Sequence, residues 1–325
     1  MKTSPLTFME GEKMIFFTDH YFQIGHAHYT AGKPCQDHAL SRSSGSIACA
    51  IVSDGCSTGG NTDVGSRVLT FGTLQAIRDH AKASNGSLAT AKVSILSRQQ
   101  QLIGVMRPVL GLDRGDMLAT CIYAYFSQSG GMIQVYGDGV IAWKDRNGDI
   151  FMHRYEWADN APFYPSYEGL DLQAFINHHG GDLEAVRLIG HSAFGSKESG
   201  YVEVDSTDYT LQQGINGISM EISESLLEQI EFLAVFSDGV TQIDGVDWKD
   251  AVGEFLAFKT SAGEFAKRRM IRGIRDMQCD GRGPIDDISY AVIHVDQEKV
   301  QTEESQGILH LVGGIFMGLS RGVDQ

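Results

Sequence analysis

The chain has 325 residues, with 26 Lys plus Arg against 41 Asp plus Glu, a formal net charge of −15. Such an acidic chain repels a phosphate backbone and an anionic lipid surface, so neither nucleic acid nor membrane is expected as a partner. A hydrophobic fraction of 42% with 21% charged residues excludes a disordered or fibrous polypeptide.

The 38 glycines against 6 prolines point to a turn-rich chain with substantial β structure. The five cysteines are odd in number and contain no CxxC pair, which argues against a disulfide framework or a structural zinc. Free thiols, no apolar signal-like segment in Met1 to Lys13 and no apolar run of about 18–20 residues together predict a cytoplasmic protein.

In chain order, Met14 to Ile24 reads as a strand, rich in aromatic and β-branched residues. Ile47 to Ser53 is a short apolar run that stops at Asp54-Gly55, a buried strand meeting a turn. Helical spacing follows over Asp63 to Asp79 and Thr90 to Leu110. Met117 to Phe126 reads as a buried strand, and Gly130-Gly131 turns the chain into Met132 to Tyr136. Val140 to Lys144 and Ile150 to Tyr155 form a hairpin around Asn147-Gly148, so a meander of consecutive antiparallel strands is expected. Trp157 to Gly200 is less regular and reads as an inserted flap, and Tyr201 to Tyr209 as a further strand. Phe232 to Phe236 runs into Ser237-Asp238-Gly239. Val246 to Phe258 and Ala262 to Met277 look helical, and Ile288 to Val295 is a last strand. One domain over 13–295 is expected, followed over 296–325 by a polar linker and an apolar tail.

One local pattern recurs. An apolar run stops at Asp-Gly in Ser53-Asp54-Gly55, in Tyr136-Gly137-Asp138-Gly139 and in Phe236-Ser237-Asp238-Gly239, and the pair Asp286-Asp287 opens the last strand. An Asp at a strand end is anchored by the core while its carboxylate leaves that core, and a neighbouring Gly permits close approach of backbone or ligand. Converging carboxylates repel one another unless a cation sits among them, and an all-oxygen set suits Mg²⁺ or Mn²⁺. Each Asp-Gly taken singly is a common turn. Three after buried strands, with Asp286, point to a shared site.

The order Gln36-Asp37, Ser53-Asp54-Gly55, Asp116-x-x-x-Thr120, Gly137-Asp138, Ser237-Asp238-Gly239 and Asp286-Asp287-x-Ser289 resembles the metal-dependent protein phosphatases of the PP2C type. The resemblance covers roughly residues 25–295, and the stretches 32–37 and 54–67 resemble the divergent, largely bacterial branch. It implies an α+β fold, a four-layer α-β-β-α sandwich of two antiparallel sheets flanked by helices, with metals in a cleft at one end. It also implies roles: Asp54 bridging two ions, the Gly55 carbonyl on one of them, Asp238 and Asp286 completing the second, Asp37 holding a water at the metals, and Asp138 helping to bind a third, weaker ion. Two divalent cations about 3.5–4 Å apart can activate a water and clamp a phosphate for in-line attack, so no protein nucleophile is required.

The chain departs from the family pattern in three places. Gly32 stands where the family usually has a phosphate-gripping Arg, which leaves Lys33 and His28 as candidate phosphate contacts. Gln36 stands where many relatives carry an acid, and Cys56 where some carry a His.

Other chemistries fit less well. No cysteine has an Arg six residues later, which excludes a cysteine-phosphatase loop, and Gly190 to Lys197 does not match a P-loop. Asp145 to Asp149 lacks the Gly and distal Glu of an EF-hand. His26 and His28 form a candidate metal pair on a strand face. The expected activity is hydrolysis of phosphoserine and phosphothreonine on a phosphorylated protein by a monomer. A binding or regulatory module with little turnover, or a small-molecule phosphatase, are the alternatives that Gly32 and Gln36 leave open.

Overall fold

A computed structural model describes residues 13–84, 87–167, 171–186, 189–197 and 200–298. The strands in chain order are β1 (Lys13–Gln23), β2 (His38–Ser44), β3 (Ile47–Ser53), β4 (Cys121–Ser127), β5 (Gly130–Tyr136), β6 (Gly139–Asp145) and β7 (Ile150–Trp157). They continue as β8 (Ile189–Lys197), β9 (Gly200–Tyr209), β10 (Ile218–Ile222), β11 (Ile230–Phe236), the short β12 (Ile243–Asp244) and β13 (Gly283–Pro284), and β14 (Ile288–Glu298).

Seven strands form one antiparallel sheet in the order β1-β14-β11-β6-β7-β8-β9, and five form a second in the order β10-β5-β4-β3-β2. The alternation of side chains across a strand explains the layering. In β11, Leu233 and Val235 join Ile51 and Ile122 of the other sheet in one core. Phe232, Ala234 and Phe236 face the opposite way, into a second core with Phe255 and Met270 of the helices Trp248–Phe255 and Phe265–Cys279. The helices Thr62–Ser84 and Ala91–Val109 cover the five-stranded sheet with Leu69, Ile77, Ile95 and Ile103. The expected four-layer α+β sandwich is therefore present. Each fully buried Leu, Val or Phe contributes about 1.5–3 kcal/mol to holding it.

The structure corrects several expected elements. The meander is broken: β4 pairs with β5 and β6 with β7, but β5 and β6 lie in different sheets. The chain crosses between the sheets at Gly137-Asp138-Gly139, where φ values of 96° and 142° at the glycines permit the turn. The flap expected over Trp157 to Gly200 contains β8, whose alternation of buried Ile189, His191, Ala193 and Gly195 is obscured by small and polar residues. The irregular part is confined to the segment between β7 and β8. His26 and His28 lie on a short helix, His26–Thr30, and not on a strand. The expected linker begins inside β14, and the apolar tail lies outside the described residues. No helix among the described residues is long and apolar enough to cross a membrane.

Gly65 lies near the start of the helix Thr62–Ser84, where an added Cβ would meet the Asp116 carbonyl oxygen at 1.9 Å. Replacing a helical Gly by Ala ordinarily stabilises by roughly 0.8–1 kcal/mol. Gly65→Ala is expected to show the opposite sign, destabilising by ~1–3 kcal/mol through overpacking. A lower urea midpoint at unchanged m would show this. A higher midpoint would contradict the backbone contact.

Candidate metal centre

Sheet direction brings the acids together. β3 and β5 both run antiparallel to the β4 between them, so their C-terminal ends lie on one edge of the small sheet. In the large sheet β6 and β14 begin where β11 ends. Asp54 follows β3, Asp37 precedes β2, Asp138 sits in the crossing from β5 to β6, Asp238 follows β11 and Asp286 precedes β14. All five predicted acids therefore gather at one end of the sandwich. The Asp37 and Asp54 carboxyls lie within hydrogen-bonding reach of each other, as do those of Asp54 and Asp238.

A second layer of contacts fixes these groups. The Asp54 backbone is clamped by Thr120, whose N–H donates to the Asp54 carbonyl at 2.8 Å and whose Oγ1 accepts from the Asp54 N–H at 3.1 Å. Asp238 accepts from Gln242 Nε2 at 2.8 Å. Asp287 is buried and binds three parts of the chain. Its oxygens accept from Gly25 N–H at 2.8 Å and Gln36 N–H at 2.6 Å, and Oδ2 lies 2.9 Å from His28 Nδ1. Asp116 takes the N–H of Asn61 at 2.5 Å and of Asp113 at 2.8 Å, so it secures the loop that follows Asp54 and has no place in the acidic cluster.

The electrostatics are those of crowded, desolvated carboxylates. Burial pushes Asp37 up to about 7, with the Asp287 and Asp238 charges adding and the Asp54 carboxyl and Ser237 hydroxyl opposing. Asp138 is pushed up to about 8, first by burial and then by Asp238. Asp54 is raised well above the carboxylate range by burial and by the Asp37 and Asp238 charges. Its residue surface is partly open, but protein packs densely around the carboxyl itself. Asp238 is raised by burial and by Asp286. Neither oxygen of Asp37 has a well-directed donor among the described residues. An anionic, all-oxygen set with unsatisfied buried oxygens fits a hard divalent cation.

The other predicted residues are placed differently. Lys33 is exposed, and its ammonium donates to the Ser57 carbonyl at 3.1 Å. His28 is buried beside Asp287, with Nδ1 3.7 Å from Asp286. Ligand atoms of His28, Asp286 and Asp287 lie within 4.8 Å of one another, but the Asp287 oxygens are already taken by backbone donors. His26 is not in this group. Sequence reasoning gave no role to Asp287 or Gln242. The doubled acid at 286–287 was a signal for the first, whereas nothing in the sequence marks the second.

A family model described as protein phosphatase 2C matches residues 24–271. A crystal structure of a bacterial serine phosphatase is similar at 11% identity with a TM-score of 0.51, over 87% of this chain and 99% of that one. Serine/threonine phosphatase Stp1 from Staphylococcus aureus is similar at 11% identity and TM-score 0.48, over 91% of this chain and 100% of that one. The PP2C domain and regulatory-domain fragment of SpoIIE from Bacillus subtilis is similar at 14% identity and TM-score 0.45, over 89% of this chain and 65% of that one. No curated protein matches. At these identities the first likeness establishes a shared fold.

Raised carboxyl pKa values have a consequence for stability. A group with folded pKa above its unfolded value near ~4 favours the folded state fully below that value, and the benefit is lost as pH rises through the folded pKa. For Asp37 and Asp138 the loss runs through about 7 and about 8. EDTA-treated protein should therefore melt at lower temperature as pH rises from about 5 to 8, at ~2–4 °C per kcal/mol lost. Mn²⁺ should raise Tm more at pH 8 than at pH 6, because cation binding requires deprotonated ligands. Scanning calorimetry checks both. A metal-independent Tm at pH 8 would remove the cation from the site.

Proposed function

We propose, for a chain that belongs to the protein phosphatase 2C family, metal-dependent hydrolysis of phosphoserine and phosphothreonine on proteins. The family and the fold of its structural neighbours support a phosphatase. The observation that carries the finer reading is the convergence of Asp37, Asp54, Asp138, Asp238 and Asp286, with both Asp37 oxygens buried and without a well-directed donor among the described residues.

In this reading Asp54 and the Gly55 carbonyl, with Asp238 and Asp286, would hold two Mg²⁺ or Mn²⁺ ions, and Asp138 would help hold a third. Bound cations would supply the charge that grips a phosphoryl group and acidifies a water. Asp37, the most buried of the set, would orient the attacking water. Asp287 keeps Asp286 in place by fixing the backbone at Gly25 and Gln36, and Gln242 aims Asp238. Lys33 would meet substrate only by leaving the Ser57 carbonyl, and His28 supports Asp286 from the protein side. A catalytic unit over 13–295, a monomeric state and a cytoplasmic location belong to the same proposal.

Hydrolysis of an aryl phosphate and a phosphothreonine peptide should require Mn²⁺ or Mg²⁺ and stop in EDTA. Asp54→Ala and Asp238→Ala should each lower kcat by at least ~100-fold, the scale of losing one electrostatic group from a transferring-phosphoryl site. Activity that persists in EDTA would overturn the metal mechanism. Near-wild-type turnover in either variant would overturn the assignment of that residue.

A further inference from the structure

Gly32, at the position where the family resemblance places an Arg, has φ +68° and open space around it. The neighbouring Lys33 ammonium is engaged by the Ser57 carbonyl. Neither residue offers the carboxylate cluster a free cationic group to meet an anion. One arrives from the other side. Arg154 of β7 pairs across from Val140, two residues beyond Asp138. Its side chain lines a cavity of about 290 Å³ together with Asp138, Asp238, Asn160 and Gln242.

The guanidinium is held in position. One Nη contacts the Glu156 carboxylate, and the guanidinium carbon lies 5.6 Å from the centre of the Trp248 ring. Yet Nε is buried without an acceptor among the described residues. A buried charged donor without a partner is costly, and the planar fork of Arg suits an oxyanion taken by two parallel N–H bonds. The Glu156 contact and the nearby Trp248 ring restrain the side chain, so less of its freedom remains to be lost on binding.

We propose that Arg154 is a substrate-binding residue that grips an oxyanion of the phosphorylated substrate in the cavity beside Asp138 and Asp238. This rests on the phosphatase reading above. The oxyanion has two sources: the phosphoryl group itself, or an acidic side chain flanking the phosphorylated residue.

Steady-state kinetics with Mn²⁺ separates them, for wild type, Arg154→Ala and Arg154→Lys. The substrates are an aryl phosphate and two phosphothreonine peptides, one flanked by Glu and one by Gln. Arg154→Ala should raise KM about tenfold or more, the scale of a lost charge-assisted hydrogen bond, with kcat changed far less. Arg154→Lys should recover part of the loss as a point charge without the fork, and its Tm guards against a folding defect. If KM for the aryl phosphate and inhibition by inorganic phosphate both weaken, the anion is the phosphoryl group. If only the Glu-flanked peptide is affected, it is the flanking carboxylate. Unchanged KM on all three substrates overturns the inference, and tighter Mn²⁺ binding in Arg154→Ala would then make Arg154 a counter-ion of Asp138. If wild type hydrolyses none of them, the phosphatase reading fails by itself. Calorimetric binding of inorganic phosphate to the Mn²⁺-loaded protein then decides Arg154: equal affinity in wild type and Arg154→Ala overturns its role, and weaker binding in the variant upholds it.

Discussion

Like charges forced together at the ends of rigid strands are the constraint on which the rest of this structure depends. Five carboxylates meet where β3, β5 and β11 stop and β2, β6 and β14 start. Each adjoins the end of a strand whose core side chains are buried, so none can swing far away to relieve the repulsion. Desolvation then raises Asp37, Asp54, Asp138 and Asp238 together. Two remedies exist for such a cluster, protons or cations. At neutral pH a divalent cation relieves more charge per site than a shared proton, and it leaves the oxygens free to act as ligands.

The same convergence dictates the backbone around it. Acids from both sheets can approach only if their supporting segments pack without side chains between them. An added Cβ at Gly239 would lie 1.8 Å from the Asp287 carbonyl oxygen, and one at Gly25 would lie 2.1 Å from the Asp286 carbonyl carbon. Those contacts press the start of β14 against the segment before His26 and the turn after Asp238. Asp287 then ties the packed backbones with its two accepting oxygens. Asp286 and Asp287 thus divide the work: one carboxylate points out to the cleft, 38% exposed, while the other, 1% exposed, faces inward and holds the scaffold.

Features fixed by local physics were legible in the sequence. Apolar runs ending in Asp-Gly marked β3, β5 and β11, and the Asn-Gly hairpin marked the turn between β6 and β7, where Asp145 accepts from the N–H groups of Asn147 and Asp149. What depended on long-range pairing was hidden. β8 has the composition of a loop and becomes a strand because β7 and β9 flank it on both sides. β2 and β10 are carried by β3 and β5 in the same way. The change of sheet at Asp138 left no periodicity to read, since both flanking strands are apolar. Asp116 shows the opposite failure. It stands in the family pattern, but its carboxylate stabilises the loop 56–61 through Asn61 and never reaches the cleft.

The irregular segment after β7 is not an independent appendage. Trp157 donates its indole N–H to the Gly137 carbonyl at 3.0 Å, which ties the root of the segment to the crossing that carries Asp138. Its aromatic cluster includes Phe163, Tyr164, Tyr167 and Phe175. From that cluster Tyr164 reaches the Cys56 thiol, two residues beyond Asp54. Burial alone would raise that thiol, but hydrogen bonds from Thr58, Tyr164 and the Thr58 and Gly59 backbone outweigh it and hold the pKa below the ordinary value. The segment is therefore anchored to both sheets through the two turns that bear acids. A displacement of the segment would be felt at Asp138 through Trp157 and at the loop after Asp54 through Tyr164, so the segment is mechanically linked to the two turns that carry these acids.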